Sequence, residues 1–347
     1  MLQKKAKQAT LGDIAKKLGI SRTTVSLVVN DHPRISKETK KLVWSAIQEL
    51  EYRPDPTARA LATGRSNLLG FIVPEMSNLY FAEIFRGAEA YARERGYHLL
   101  LNNGSYDLKV EEQRIQDLLD LKIGGLVVSP AFTDARQTSR TIWKDLRNDN
   151  FPIVLINRHM QPPIYHQISA DNTEGVRLAM EHLAQLGHRR VAYITGEPRV
   201  LPVRQRMKAF QDFLTHFGFE NDPSLVESST FTIQGGYESA RRLWGKASKK
   251  PTAIMALSDT VALGILKFLQ ESGIDVPGEV SLMGFDGTPI AEFSLIGIST
   301  IETPLYDMGR QAITILEQVM QSRVKNLQNV MLPVRLIERG STGPVKG

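Results

Sequence analysis

The chain has no cysteine among its 347 residues. Disulfides and thiolate metal sites are thereby excluded, and a reducing compartment is permitted. No apolar run approaches the roughly 20 residues that a membrane-spanning helix needs. The opening Met-Leu-Gln-Lys-Lys-Ala-Lys-Gln has charges with no apolar stretch behind them. No signal peptide and no membrane partner are therefore expected, and a cytoplasmic protein is. Catalytic signatures are also missing: the sequence holds no G-x-S-x-G, no Walker A loop and no H-E-x-x-H. His182 and His188 are spaced so that a helix does not bring them to one face. Asp259 and Asp286 are acids without an accompanying nucleophile. The expectation is a non-enzyme with no catalytic residue, no metal and no cofactor.

Charge is present but unevenly placed. Residues 1–66 carry 13 Lys and Arg against 6 Asp and Glu, whereas the rest of the chain carries 30 against 31. A basic segment of that kind is the footprint of a polyanionic partner.

The same segment holds a complete helix-turn-helix. Thr10 can cap a first helix, with Asp13 in the capping-box position. Ile14 and Leu18 share a face, Gly19 supplies the turn, and Ser21 caps a second helix whose Val25 and Val28 face inward. Ser36 then caps a third helix with Val43, Ala46, Ile47 and Leu50 on one side. The second helix keeps a polar outer face of Arg22, Thr23, Ser26 and Asn30, which fits the major groove of double-stranded DNA.

Beyond Ser66 the pattern changes. Short apolar runs at 68–73, 98–101, 125–128 and 153–156 alternate with helical spacing at 80–95, 109–121 and 138–149. A second series follows, with strands at 166–170, 190–195, 253–257 and 280–285 and helices at 173–186, 204–217, 236–246 and 260–271. Two βαβ series in succession predict an α/β fold class with two doubly wound parallel-sheet subdomains, and ligands in such folds bind at the carboxyl ends of the strands.

Further motifs run to the far end: His182-Leu183-Ala184-Gln185-Leu186-Gly187-His188, Ser281-Leu282-Met283-Gly284-Phe285-Asp286 and Arg335-Leu336-Ile337-Glu338-Arg339-Gly340-Ser341-Thr342. Together with the helix-turn-helix and Tyr52–Gly64, they resemble the LacI/GalR family of bacterial transcriptional regulators across the whole chain. The resemblance implies an all-α headpiece at 1–53, a hinge helix and linker at 54–66, and a periplasmic-binding-protein-like core at 67–347. It further implies an N-subdomain of about 67–164 plus 302–328 and a C-subdomain of about 165–301 plus 329–347. The chain then crosses near 160–167 and 295–303, a helix at 304–322 returns to the first subdomain, and a strand at 330–337 joins the second.

The resemblance also assigns roles. Arg22 and Thr23 meet base edges, an Arg–guanine fork being worth about 1–3 kcal/mol of discrimination. Thr10, Ser21, Ser26, Asn30 and Arg34 belong to the same DNA-binding set as anchors and caps. Leu27 stands where many relatives have a guanine-reading arginine, and it offers only a methyl-packing surface. In the hinge, Leu61 matches a minor-groove wedge, Ala58 faces the partner helix and Arg59 reaches phosphate. Asp55 replaces a common asparagine.

For the core, Arg206 and Asp286 match the residues that hold a small effector, with Tyr80, Phe81 and Phe231 as aromatic platforms and Asn157 and Ser258 as lesser polar positions. Tyr80-Phe81-Ala82-Glu83-Ile84 resembles purine-responsive members, but Val200 and Pro202 fall where those have polar contacts. A sugar or sugar derivative is therefore ranked ahead of a purine, and a ligand-independent or protein-coregulated DNA binder remains the other reading. The implied partners are a pseudo-palindromic operator, the effector and a second copy in a homodimer. No tetramerising tail is expected.

Overall fold

A computed structural model of the chain describes residues 9–29, 34–52, 66–131, 141–157, 163–198, 200–324 and 326–345. The chain divides into two compact units, 1–66 and 67–347.

In the first unit, α1 (Leu11–Leu18), α2 (Arg22–Val29) and α3 (Lys37–Glu49) enclose a core of Ile14, Val25, Val28, Val43, Ala46 and Ile47. Each helix begins where a side chain can satisfy free amides. Thr10 and Asp13 form a reciprocal capping box, Ser21 accepts from Thr24 N at 2.9 Å, and Ser36 accepts from Thr39 N at 3.2 Å. Gly19, at φ 66°, turns α1 toward α2. Lys17 pairs with Glu49 and ties α1 to α3.

The second unit is built of two lobes. The first begins with β1 (Leu68–Val73), α4 (Leu79–Glu94), β2 (His98–Asn103), α5 (Leu108–Asp120), β3 (Gly125–Val128), α6 (Thr141–Asn148), β4 (Ile153–Ile156) and β5 (His166–Ala170). The second takes α7 (Asn172–Gln185), β6 (Val191–Thr195), α8 (Leu201–His216), β7 (Val226–Ser228), α9 (Ile233–Lys246), β8 (Ala253–Ala256), α10 (Asp259–Glu271), β9 (Ser281–Asp286), α11 (Pro289–Glu292) and β10 (Ser299–Glu302). The chain ends with α12 (Leu305–Met320), β11 (Asn329–Leu332) and β12 (Arg335–Ile337).

One sheet runs β11-β5-β4-β3-β1-β2 and the other β12-β10-β9-β8-β6-β7. All pairings are parallel except β10 with the edge strand β12. The two orders are the same doubly wound pattern, with a switch point beside β1 in one lobe and β6 in the other. Central strands such as β3, β4, β6 and β8 are buried throughout, as sheets covered on both faces require.

Two strand placements differ from expectation. Residues 166–170 do not open the second sheet; they pair with β4 and β11 in the first. The expected single strand at 330–337 is two. Leu332 is the partner of Ala170 in the first sheet, and Arg335 is the partner of Glu302 in the second. Pro333 lies between them, and a residue without an N–H ends a ladder. The lobes are therefore joined by three passages, after Ala170, after Glu302 and at 333–334. A strand buried on both faces carries no pattern that tells one sheet from the other, which is why periodicity placed 166–170 wrongly.

Helix α12 packs on α4 and on the face of β3, β4 and β5, so it completes the first lobe. There Gly87 and Gly309 sit in reciprocal contact. A Cβ at Gly87 would overlap the carbonyl of Tyr306, and one at Gly309 the carbonyl of Ile84. The second lobe repeats the device between α9 and α10, with Gly236 on Val261 and Gly264 on Ile233. Among the described residues no helix is long and apolar enough to cross a membrane.

Candidate functional site

The helix-turn-helix presents Arg22 and Thr23 fully outward, with Ser26 and Leu27 half-buried on the next turn. Val25 and Val28 lie on the opposite side in the core, so the predicted reading face and packing face are separate. Arg34 is exposed. The Thr10 hydroxyl donates to Asp13 Oδ2 at 2.7 Å, and Ser21 Oγ is shared with Thr24, so both serve as caps. Asn30 and the hinge residues Ala58, Arg59 and Leu61 lie outside the described residues.

In the second unit a cleft of about 450 Å³ opens between the lobes. Its wall is made by loops following β1, β2, β3 and β4 on one side and β6, β7, β8 and β9 on the other. All seven expected effector residues line it: Tyr80, Phe81, Asn157, Arg206, Phe231, Ser258 and Asp286. They converge because each follows the carboxyl end of a strand, and the two sheets turn those ends toward each other.

The polar floor belongs to the second lobe. Arg206 Nη2 lies 3.3 Å from Asp286 Oδ1. Its other nitrogens donate to Asn172 Oδ1 and to the Leu257 carbonyl, each at 2.8 Å, and its guanidinium stacks 3.5 Å over the Phe285 ring. Asp286 is at φ 109°, an unusual conformation for a non-glycine residue, and aims its carboxyl inward. Burial pushes its pKa up, Arg206 opposes this, and nearby Asp259 adds to it. Asp259, fully buried, is also raised by burial. It is held by Thr288 N and Thr300 Oγ1, each at 2.6 Å, and by Thr288 Oγ1 at 2.9 Å. With those three donors on it, Asp259 supports the site from behind.

The first lobe contributes Tyr80, whose hydroxyl donates to Asn157 Oδ1 at 2.9 Å, and Phe81, edge-on to Tyr80. Both rings are largely buried in the lobe's core, so they serve packing and cleft wall together. Asn157 adopts φ 55°.

Sequence reasoning missed several lining residues. Ser129 follows β3, is fully buried, and its Oγ has no hydrogen-bond partner among the described residues. Tyr106 lies in the turn after β2 and stacks on Phe231 with ring centroids 5.9 Å apart. Pro74 and Asn78 complete that side, and on the other Val203 and Leu257 extend the apolar wall begun by Val200 and Pro202, the two positions that the sequence itself singles out. The only available signal was position after a strand, since Ser129 and Tyr106 belong to no motif.

The two histidines hold the end of the chain. His182 Nε2 lies 2.9 Å from Thr342 Oγ1, and His188 bridges Thr252 Oγ1 and Ser281 Oγ, each at 3.0 Å. Among the described residues no cluster of three or more His, Asp or Glu is arranged to hold a metal.

Comparison with known proteins adds the following. Residues 10–55 match the model of bacterial regulatory proteins of the lacI family, and residues 180–342 match the periplasmic binding protein-like domain. The chain is 30% identical over 335 residues to the ribose operon repressor of Halalkalibacterium halodurans, covering 96% of this chain and 97% of that one. It is 29% identical to the transcriptional regulator DegA of Bacillus subtilis, over 97% of this chain and 99% of that one. Among solved structures it resembles the lac repressor dimer bound to operator and the anti-inducer ONPF, at TM-score 0.86 and 25% identity, covering 97% and 100%. It also resembles the regulator CelR in complex with cellobiose, at TM-score 0.71 and 26% identity, covering 96% and 100%.

Proposed function

The chain belongs to the LacI family of bacterial regulatory proteins and is a DNA-binding transcriptional regulator, not an enzyme; from that premise we propose that it is a cytoplasmic homodimeric repressor controlled by a sugar or sugar derivative bound between its lobes. The observation that carries this reading is the cleft, where an Arg–Asp pair, the buried Ser129 hydroxyl and aromatic rings converge on one space. Such a mixture of a few fixed polar groups with apolar walls is what small-molecule sites offer.

In this reading each protomer places one α2 in the major groove of one half-site, and the operator's symmetry follows the dimer's. Arg22 and Thr23 read bases, with Thr10, Ser21, Ser26, Asn30 and Arg34 fixing register. Ala58, Arg59 and Leu61 form the paired hinge in the minor groove. Arg206 donates to ligand oxygens and Asp286 accepts from ligand hydroxyls. Tyr80, Phe81 and Phe231 cover apolar ring faces, and Asn157 and Ser258 complete the polar edge. Ligand binding changes the angle between lobes and so the spacing of the hinges, which couples the two sites. Val200 and Pro202 face the cleft and offer nothing to read a purine's edge, which keeps a sugar ahead.

Exposed apolar side chains support self-association. Phe293 and Leu295, two positions apart on the second lobe, are 82% and 88% exposed, the two highest values among its large apolar side chains that are described.

The test is a thermal-shift panel of sugars, sugar phosphates and purines, followed by operator titration with each hit. A ligand at about a hundred times its Kd stabilises by roughly 2.7 kcal/mol. A sugar that shifts the wild type but not Asp286→Ala supports the reading; a purine that does so replaces it.

A further inference from the structure

Tyr106 is part of the first lobe, yet its ring packs against the apolar core of the second. It lies nearly flat over Phe231, the ring planes 13° from parallel. Phe231 enters α9 of the second lobe, so this pair spans the cleft. Both rings are half-exposed, whereas Arg206, Asp286 and Ser129 are buried. The stack therefore stands at the outer end of the cleft, in front of its polar floor.

The backbone beneath Tyr106 is held against its preference. Asp107 N donates to Gly104 O at 3.1 Å, closing a turn whose central residues Ser105 and Tyr106 have φ of 54° and 52°. Positive φ at both positions marks a type I′ turn, ordinarily filled by glycine, asparagine or aspartate. The turn is pinned at both ends. Gly104 N donates to Val73 O at 2.8 Å, and Asp107 Oδ1 accepts from Lys109 N at 2.7 Å and Val110 N at 3.2 Å. Strained backbone persists where its surroundings over-determine it, and ligand clamps are one such place. The stack shares the lining of one cleft with Ser129, Arg206 and Asp286.

We propose that Tyr106 determines ligand size: stacked on Phe231, it closes the mouth so that the cleft admits a single-ring polyol and excludes a second sugar ring. The proposal rests on the cleft being a sugar site. It assigns Ser129 a partner, because a ring seated behind the stack brings a hydroxyl within reach of that buried oxygen.

Two readouts test it on the full chain. The first needs no ligand. Since the chain has no cysteine, Ser129→Cys places one thiol behind the stack, and its rate of labelling by a maleimide reports opening of the mouth. Adding Tyr106→Asn, which suits the same turn, should speed labelling roughly three- to tenfold, the population shift expected for losing one stacked aromatic pair. Adding Tyr106→Phe, which keeps the stack, should leave the rate unchanged. The second readout is a thermal shift with glucose, galactose and ribose against cellobiose, lactose and maltose. The wild type should respond only to monosaccharides, and Tyr106→Asn to at least one disaccharide as well. An unchanged labelling rate in Tyr106→Asn, or a disaccharide response in the wild type, overturns the proposal. If no sugar shifts either protein, the sugar reading fails, and the gate is then decided by the labelling rates alone.

Discussion

Arg206 and Asp286 meet 3.3 Å apart in the floor of the cleft, each side chain only 6% exposed. The pair is buried but not self-sufficient. Arg206 has two further acceptors, whereas Asp286 is raised by burial with Asp259 nearby. A carboxyl raised in the fold binds its proton more tightly folded than unfolded. Its contribution to stability is full below about pH 4, the unfolded value, and is lost as pH rises through the raised one. Asp286→Asn should therefore flatten the pH dependence of stability above about pH 4. Urea midpoints of the two proteins across a pH series measure this; parallel curves would assign the slope to other groups.

The recognition helix gives a prediction about sequence preference. Leu27 has no hydrogen-bond donor, so Leu27→Arg should shift selection toward guanine at the base it faces. Arg22→Ala should cost about 1–3 kcal/mol of operator affinity if its fork reads a base edge. Binding-site selection followed by titration at fixed salt tests both, and an unchanged base profile for Leu27→Arg would remove Leu27 from the reading face.

The reciprocal glycines make a stability prediction. Alanine ordinarily favours a helix by about 1 kcal/mol over glycine. At Gly87 and Gly264 a methyl group meets a backbone carbonyl of the facing helix, which cannot turn aside. Gly87→Ala and Gly264→Ala should each destabilise the core by about 1–3 kcal/mol, the usual cost of overpacking. Denaturation monitored on the full chain would show it; a gain in stability would mean the helices separate freely.

The exposed pair on the second lobe predicts assembly. Phe293→Asp combined with Leu295→Asp should weaken self-association while leaving the fold intact, since neither side chain is buried. Sedimentation velocity against concentration reads the change. Association equal to the wild type would place the dimer interface elsewhere.

The helix-turn-helix is legible in residues 10–30 because caps, a turn glycine and apolar spacing coincide in one short window. Asp286 is legible as the end of the Ser281–Asp286 motif and Arg206 through the resemblance to the family, and the fold explains why residues 80 positions apart meet. Tyr106 is not legible, because a Gly-Ser-Tyr-Asp turn reads as punctuation and its stacking partner lies in the other lobe. Nor is the membership of 166–170 or 329–332, since a doubly covered strand looks alike in either sheet. What the sequence leaves out is long-range pairing, which resides in the packing of one lobe on the other.

The three passages between lobes also bear on how the protein is made. Neither lobe is one continuous stretch of chain. The first begins at β1, but its core face of Ile84, Ala88, Val127 and Val154 is covered by Met308, Ala312, Ile313 and Leu316 of α12. During synthesis from the N-terminus, that face waits for residues made after most of the second lobe has emerged from the ribosome. The lobe begun earlier is thus completed later, and a nascent chain carries an unfinished apolar surface through most of its translation.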